Sequence, residues 1–481
     1  MSNRPETNKQ SCPVYKKCGG CQLQNLSYPE QLEFKQRKVE KLLKRFCTVE
    51  KIIGMKTPYH YRNKVQAAFY TDKKGKIISG VYQSGSHHVV GIDSCQTEDV
   101  IADKIIVAVR KLLPSFRMTT YNEDTGKGFL RHILVKRGFA TNQIMLVLVT
   151  GTPVFPSKNN FVKAILKQFP EITTIVQNIN PYRTNLVLGD NQKVLYGKGY
   201  IEDILCGCRF RISPKSFYQI NPVQTEVLYG KAIEFANLKG SETVLDTYCG
   251  IGTIGIIAAK NGAGNVIGAE LNGDAVRDAI VNARANNLKN IRFYKADAGE
   301  FMREAADEDE KPDVVFMDPP RAGSDRKFLD SLIKMSPKKV VYVSCNPETL
   351  ARDLAYLTQN SPYKAQKIQP VDMFPHTAHI ETVVKLVRKT PDAYVDLKVD
   401  MDELDLTASE AKATYEEIKQ YILDKYDTKV SNLYIAQVKE KYGIIERENY
   451  NKPKSANTKQ SQCPAEKAVM IEEAFKHFKM I

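Results

Sequence analysis

From Thr243 onward the chain alternates short β-branched runs with helical stretches. TVLD, NVIGAE, IRFYKAD, VVFMD and VVYVSC are separated by IGIIAAKNG, DAVRDAIVNARANN and FLDSLIKM. Strands that alternate with helices predict a parallel, doubly wound α/β sheet. Such sheets bind ligands in the crevice beyond the carboxyl ends of their strands. Several runs end in residues suited to that crevice. VVYVSCNP (Val340–Pro347) leads through Ser344 to Cys345, and then Asn346-Pro347 turns the chain. VVFM is followed by Asp318-Pro319-Pro320-Arg321, and NVIGAE ends in Glu270.

LDTYCGIGTIG places Gly250, Gly252 and Gly255 at GxGxxG spacing between a strand and a helix. Glycines there let the backbone approach a nucleotide-type ligand. Glu270, at the end of the next strand, can accept both ribose hydroxyls. These features suit NAD and S-adenosylmethionine alike, so an NAD-dependent dehydrogenase is one reading. The Asp-Pro-Pro run opposes it, because that run is a methyltransferase feature a dehydrogenase does not need. An aromatic residue after the prolines would point to methylation of an exocyclic amine, and here Arg321 stands in its place. Cys345 alone reads as a small buried hydrophobe; its position at the mouth of a sheet puts it where such folds place ligands. PHTAHIETVVKL (Pro375–Leu386) closes the pattern. His376 and His379 have HxxH spacing, but ETVVKL reads as a strand and the two need not converge. Glu381, a carboxylate entering a late strand beside the crevice, is the better candidate.

Lys and Arg outnumber Asp and Glu by 70 to 55, a net charge of +15 that suits a polyanionic partner, nucleic acid being the commonest. No apolar run is long enough to span a membrane and the polar start MSNRPETNKQ is no signal peptide, so a cytoplasmic protein is expected. Ten cysteines in that compartment suggest metal, redox or catalytic use. Cys12, Cys18 and Cys21 lie together in CPVYKKCGGC. A closed site needs a fourth ligand, from Cys47 or, better, Cys95 in a strand-to-loop exit; spacing does not decide between zinc and an iron–sulfur cluster. Between Asn63 and Ile212 short β-prone runs predict a β-rich region with helices near Asp99–Leu113 and Lys158–Phe169. Within it YHYRNK (Tyr59–Lys64) and FLRHILVKR (Phe129–Arg137) mix aromatic and basic residues, which suits either RNA contact or a polar sheet face.

CPVYKKCGGC, YRNK, FYQIN, LDTYCGIG, DPPRAG, SCNP and HIETV, in this order, resemble the RNA uracil-5-methyltransferase family, in its bacterial 23S ribosomal RNA branch, over roughly Ser11 to Arg388. The resemblance implies a Rossmann-like S-adenosylmethionine-dependent domain, with Cys345 as nucleophile and Glu381 as general base. Gln219, Tyr248, Glu270 and Asp318 match its S-adenosylmethionine contacts. Cys12, Cys18, Cys21 and Cys95 match the ligands of its [4Fe-4S] cluster. The tRNA-modifying branch lacks that set, so the implied partner is 23S ribosomal RNA, with tRNA, or RNA binding without catalysis, as alternatives. The expected divisions are an iron–sulfur segment with a helix (1–46), a β-rich central RNA-binding domain that supplies Cys95 (47–221), the methyltransferase domain (222–388) and a helical, basic appendage (389–481). Two departures stand out. Only eleven residues precede Cys12, so the N-terminal β-barrel of several relatives is expected to be absent. Beyond Arg388 the chain continues with helices expected at Ser409–Tyr426 and Asn432–Tyr442 and a basic Asn/Lys/Ser-rich stretch. The sequence sets no oligomeric state; a monomer is the working expectation.

Overall fold

The computed structural model describes residues 12–389 except 84, 85, 87 and 309, then 413–442 and 463–481 except 479. The chain forms two compact units, Met1–Thr390 and Pro391–Ile481.

The first unit contains two seven-stranded sheets. One is built from β1 (Lys64–Thr71), β2 (Ile77–Tyr82), β3 (Val89–Gly91), β4 (Leu130–Arg137), β5 (Ile144–Thr150), β6 (Ile172–Ile179) and β7 (Asn191–Tyr196), in the order β3-β2-β1-β4-β5-β6-β7. Its pairs are antiparallel except β5–β6, which are joined by the helix Lys158–Gln168. A crossover of that kind is what parallel neighbours require. That helix and a second, Val100–Leu112, pack Phe161, Ile165, Ile105 and Val109 onto the sheet. A hairpin follows, β8 (Ile201–Leu205) and β9 (Cys208–Ile212).

The second sheet comprises β10 (Thr243–Thr247), β11 (Asn265–Glu270), β12 (Ile291–Lys295), β13 (Val314–Met317), β14 (Lys339–Ser344), β15 (Tyr363–Val371) and β16 (Glu381–Arg388). Their order is β12-β11-β10-β13-β14-β16-β15. Strands β10 to β14 pair in parallel, as the alternation predicts. The expectation of a wholly parallel sheet is corrected at β16, which runs antiparallel to both β14 and β15. No helix separates β15 from β16, so the chain has no crossover with which to return in parallel. The order also departs from the 3-2-1-4-5-6 arrangement of dinucleotide-binding dehydrogenases. The reversed strand matters for chemistry, because it brings the beginning of β16 to the carboxyl end of β14.

The N-terminal helix Tyr28–Leu43 starts with a capping box between Ser27 and Glu30. It buries Val39 and Leu43 against the second sheet. Lys35 on this helix forms a fully buried ion pair with Asp372 at 2.5 Å, and the Tyr28 hydroxyl donates to the other oxygen of Asp372 at 2.9 Å. Removing one partner of such a pair costs about 3–5 kcal/mol, because the other is left buried and charged.

The two aromatic–basic motifs do not form an exposed face. Tyr61 is buried and its hydroxyl donates to the Pro375 carbonyl. Arg131 is buried against Glu123, and Lys136 donates to the carbonyls of Ser213 and Ser216. The polar groups of these three side chains are bonded inside the protein, whereas His60 of the first motif is exposed.

The second unit has helices Tyr415–Tyr426, Asn432–Lys441 and Ala465–His477 around Ile418, Ile422, Ile435, Val438, Ile471 and Phe475. The sequence pattern predicts the first two of these helices and not the third. Val395–Glu410 and Asn449–Gln462, the acidic and the Asn/Lys/Ser-rich stretches, lie outside the described residues. Among the described residues no helix is long and apolar enough to cross a membrane.

Candidate active site

Ser344, the last residue of β14, pairs with Thr382, the second residue of β16. Cys345 and Glu381 therefore flank one crevice. Burial is the first cause that pushes the Cys345 thiol up to about 11; Glu381 and Asp318 add to it and Arg321 opposes them. Glu381 is only 4% exposed. Burial, then Asp318, raises its carboxyl well above the ordinary range, again against Arg321. Burial lifts Asp318 to about 7. Three acids and one guanidinium thus share an electrostatic neighbourhood. The turns that carry them are tied together: the Asn346 amide donates to the Arg321 carbonyl at 3.1 Å, and the Thr349 hydroxyl to the same oxygen at 3.3 Å. Asn346 also caps the helix Pro347–Asn360 by accepting from the Glu348 N–H.

The glycine-rich turn lies at the end of β10. Gly250 and Gly252 have φ of +57° and +82°, and a Cβ at Gly252 would meet the Phe293 ring at 2.7 Å. Glu270 accepts from the Gly250 N–H with one oxygen at 3.0 Å and from the Asn272 N–H with the other at 2.7 Å. Gly250, Glu270 and Asn272 line a cavity of about 440 Å³ together with Ser213, Lys215 and Phe217. Its size suits a nucleoside-bearing ligand. Tyr248 is not a wall of this cavity; its backbone is left-handed at φ +66° and its ring packs on Phe328. Gln219 reaches the hydroxyl of Tyr229, as does Thr253. Burial first, then Asp318, raises that hydroxyl, and Glu381 adds to the effect. Tyr229 is thus a site residue that sequence reasoning missed. It lies in FYQINPVQTEVLY on the helix opened by Pro222, where its apolar neighbours disguise it. Asn63 of YRNK donates to the Gln219 carbonyl at 3.1 Å, so the first sheet helps to set this corner.

The chain is similar to known proteins. The family described as tRNA (Uracil-5-)-methyltransferase matches residues 183–389. An uncharacterized RNA methyltransferase of Bacillus cereus is 43% identical over 389 residues, covering 80% of this chain and 84% of its own. Another, of Clostridium tetani, is 45% identical over 377 residues, covering 78% and 81%. The chain belongs to the RNA uracil-5-methyltransferase family. Among solved structures, the tRNA (uracil-54, C5)-methyltransferase of Pyrococcus abyssi, in complex with S-adenosyl-L-homocysteine, is similar at 32% identity with a TM-score of 0.65. The alignment covers 76% of this chain and 86% of that one. The protein is an S-adenosylmethionine-dependent RNA methyltransferase.

In this RNA methyltransferase the cysteines near the N-terminus and Cys95 influence one another electrostatically. Cys21 is pushed up to about 12, first by burial, then by Cys95, with Cys18 and Cys12 adding and Arg62 opposing. Cys47 does not take part; its thiol faces the Thr48 carbonyl at 3.5 Å and is raised by burial and Glu50. No three His, Cys, Asp or Glu side chains among the described residues are grouped closely enough to hold a single metal ion. The HxxH pair does not converge: His376 bonds to Gln31 and to the Pro58 carbonyl, whereas His379 packs edge-on against Phe374.

Proposed function

We propose that this enzyme methylates carbon 5 of a uridine in 23S ribosomal RNA through a transient bond between Cys345 and carbon 6. The observation that carries the reading is the meeting of Cys345, Glu381 and Asp318 where β14 ends and β16 begins. Carbon 5 of uracil is a poor nucleophile. Addition of the Cys345 thiolate to carbon 6 turns the ring into an enolate, which can take a methyl group at carbon 5. S-adenosylmethionine supplies that methyl in electrophilic form. Glu381 then removes the carbon 5 proton, the sulfur–carbon 6 bond breaks, and the thiolate is restored. The raised carboxyl of Glu381 fits this order. A cationic methyl donor in the same crevice lowers its hold on a proton; methyl transfer neutralises that charge, so Glu381 binds a proton more firmly when it must collect one. A stacked, paired base has no access to this crevice, so the target is flipped or single-stranded.

Cys12, Cys18, Cys21 and Cys95 would hold a [4Fe-4S] cluster, which supplies a rigid link between the N-terminal segment and the Cys95 loop. Two observations support this. Cys12, Cys18 and Cys95 all act electrostatically on Cys21, so the four thiols are neighbours. Arg62 stands beside them with a buried, unpartnered Nε, a compensating charge for an anionic cluster. Gln219, Glu270 and Asp318 would hold S-adenosylmethionine, with Tyr248 supporting the turn.

The cysteine set supports ribosomal RNA as the partner. A second reading, transfer RNA, is favoured by the likeness to the Pyrococcus abyssi enzyme, a tRNA (uracil-54, C5)-methyltransferase. Mapping 5-methyluridine in ribosomal and transfer RNA, from cells with and without the gene, tests both. Loss of a 23S site supports the first reading, and loss of a tRNA site alone replaces it with the second.

A further inference from the structure

The turn that delivers Glu381 is held by several elements, among them Lys35, Tyr61 and Asn221 on the carbonyls of Phe374, Pro375 and Met373, and its bonds to the residues that follow Cys21 are made at His376 and Ala378. His376 lies in the Asp372–Ile380 connection between β15 and β16, with φ +69°, an uncommon conformation for a residue with a side chain. It is 3% exposed, and each of its four polar atoms bonds to a residue between Leu23 and Pro58. Its N–H donates to Gln31 Oε1 at 2.8 Å. Its carbonyl accepts from the Leu23 N–H at 2.9 Å. Its Nδ1 accepts from Gln31 Nε2 at 3.2 Å, and its Nε2 donates to the Pro58 carbonyl at 2.9 Å. These partners assign one neutral tautomer. The ring also packs on Tyr59 at 4.9 Å. Two residues further on, the Ala378 N–H donates to Gln22 Oε1 at 3.2 Å. Gln22 and Leu23 directly follow Cys21.

We propose that His376 is a positioning residue for proton removal, passing the placement of the cysteine segment on to Glu381. The proposal rests on the reading of Glu381 as the base. Only Thr377 to Ile380 separate His376 from β16, so a shift of the histidine is carried to the start of that strand. Cys345 follows β14, and none of the residues that line the cavity beside Gly250 and Glu270 belongs to this turn. Loosening His376 therefore slows proton removal while thiol addition and S-adenosylmethionine binding continue.

The test uses the full chain with target RNA, in variants His376→Ala, Gln31→Leu and, as reference, Glu381→Gln. Protein–RNA adduct is followed on a denaturing gel, S-adenosylmethionine affinity is measured separately, and amide hydrogen exchange is read at Leu23 and Ala378. His376→Ala and Gln31→Leu are expected to accumulate adduct as Glu381→Gln does. Their product release should slow on the order of 100-fold, with cofactor affinity within about twofold of wild type. Cys95→Ser, which disturbs the thiol set without touching the segment, is expected to speed exchange at both amides. Wild-type release in His376→Ala and Gln31→Leu, beside a trapping Glu381→Gln, overturns the proposal alone. Loss of cofactor binding in both variants also overturns it, since the defect is then one of folding. Unchanged exchange in Cys95→Ser removes the link to the cysteines. If Glu381→Gln traps no adduct, the base assignment falls and the proposal falls with it.

Discussion

The protein holds two cysteine sites that differ in what surrounds the sulfur. At Cys345 burial is followed by Glu381 and Asp318; at Cys21 it is followed by Cys95, Cys18 and Cys12. Each site has one opposing guanidinium, Arg321 or Arg62. Burial alone makes both thiols unreactive at neutral pH, since the thiolate is the nucleophile and the metal ligand. The neighbours decide how that is overcome. Carboxyl groups can exchange a proton with the thiol and with a substrate, so Cys345 sits in a site built to move protons. Neighbouring thiols at these raised values offer no such exchange; each thiolate formed disfavours the next, and a bound cation offsets that repulsion while the protons pass to solvent. Under the proposed function the same side chain would serve covalent chemistry in one place and ligation in the other.

The comparison breaks most visibly if Cys345 is expendable. Cys345→Ala is expected to lower turnover on the order of 10⁴-fold or more and to form no covalent RNA adduct. Glu381→Gln should lose turnover to a similar extent yet retain thiol addition and leave an adduct on a denaturing gel. Full activity in Cys345→Ala would sink the mechanism. At the other site, anaerobically purified protein should contain about four irons per chain. Cys95→Ser should lose that iron and Cys47→Ser should keep it. One zinc and no iron, in protein never exposed to air, would put Cys21 in a different class of site.

A smaller effect sharpens the proton-moving side. Burial lifts the Asp318 carboxyl to about 7, so it is expected to be neutral below that pH and charged above it. If it faces the sulfonium, S-adenosylmethionine affinity rises with pH, by about tenfold between pH 6 and pH 8, and levels off above. Binding near pH 7 then releases a proton, measurable by calorimetry in buffers of different ionisation enthalpy. Asp318→Asn should flatten the profile; an unchanged slope would assign the titration to another group.

The sequence exposes the ends of strands better than their directions. Asp318, Glu270 and Cys345 were legible because each follows a β-branched run that alternates with helices. The reversal of β16 was not, since an apolar run carries no sign of its direction; it follows from the missing helix between β15 and β16. Tyr229 was hidden because its role depends on Gln219, Thr253 and Asp318, which reach it from separate elements. YHYRNK and FLRHILVKR left two readings open because composition does not tell a solvated Arg from one buried like Arg131 against Glu123. His376 was visible only as half of an HxxH pair, whereas its place is set by Gln31, Leu23 and Pro58, hundreds of positions away.

The smallest effect concerns the second unit, which has neither kind of cysteine site. Its helices share a core around Ile422, Ile435 and Phe475. Lys425 and Lys441 pair with Glu473 and Glu472 on the helix Ala465–His477, so these charges are met within the unit. The residues that would meet RNA are those of Lys441–Lys459, where lysines and an arginine alternate with tyrosines. Removing Pro391–Ile481 is therefore expected to leave S-adenosylmethionine binding unchanged and to weaken RNA affinity by a few-fold. The plot of log affinity against log salt should become shallower by about 0.7–0.9 for each phosphate that the unit neutralises. The acidic stretch Val395–Glu410 works against this effect, because it repels phosphate, and its presence keeps the number of neutralised phosphates small. Titration of truncated and full-length protein at several salt concentrations decides the matter. Equal affinity with an equal slope would show that the unit is not an RNA module and leave its helices a packing or partner-binding role.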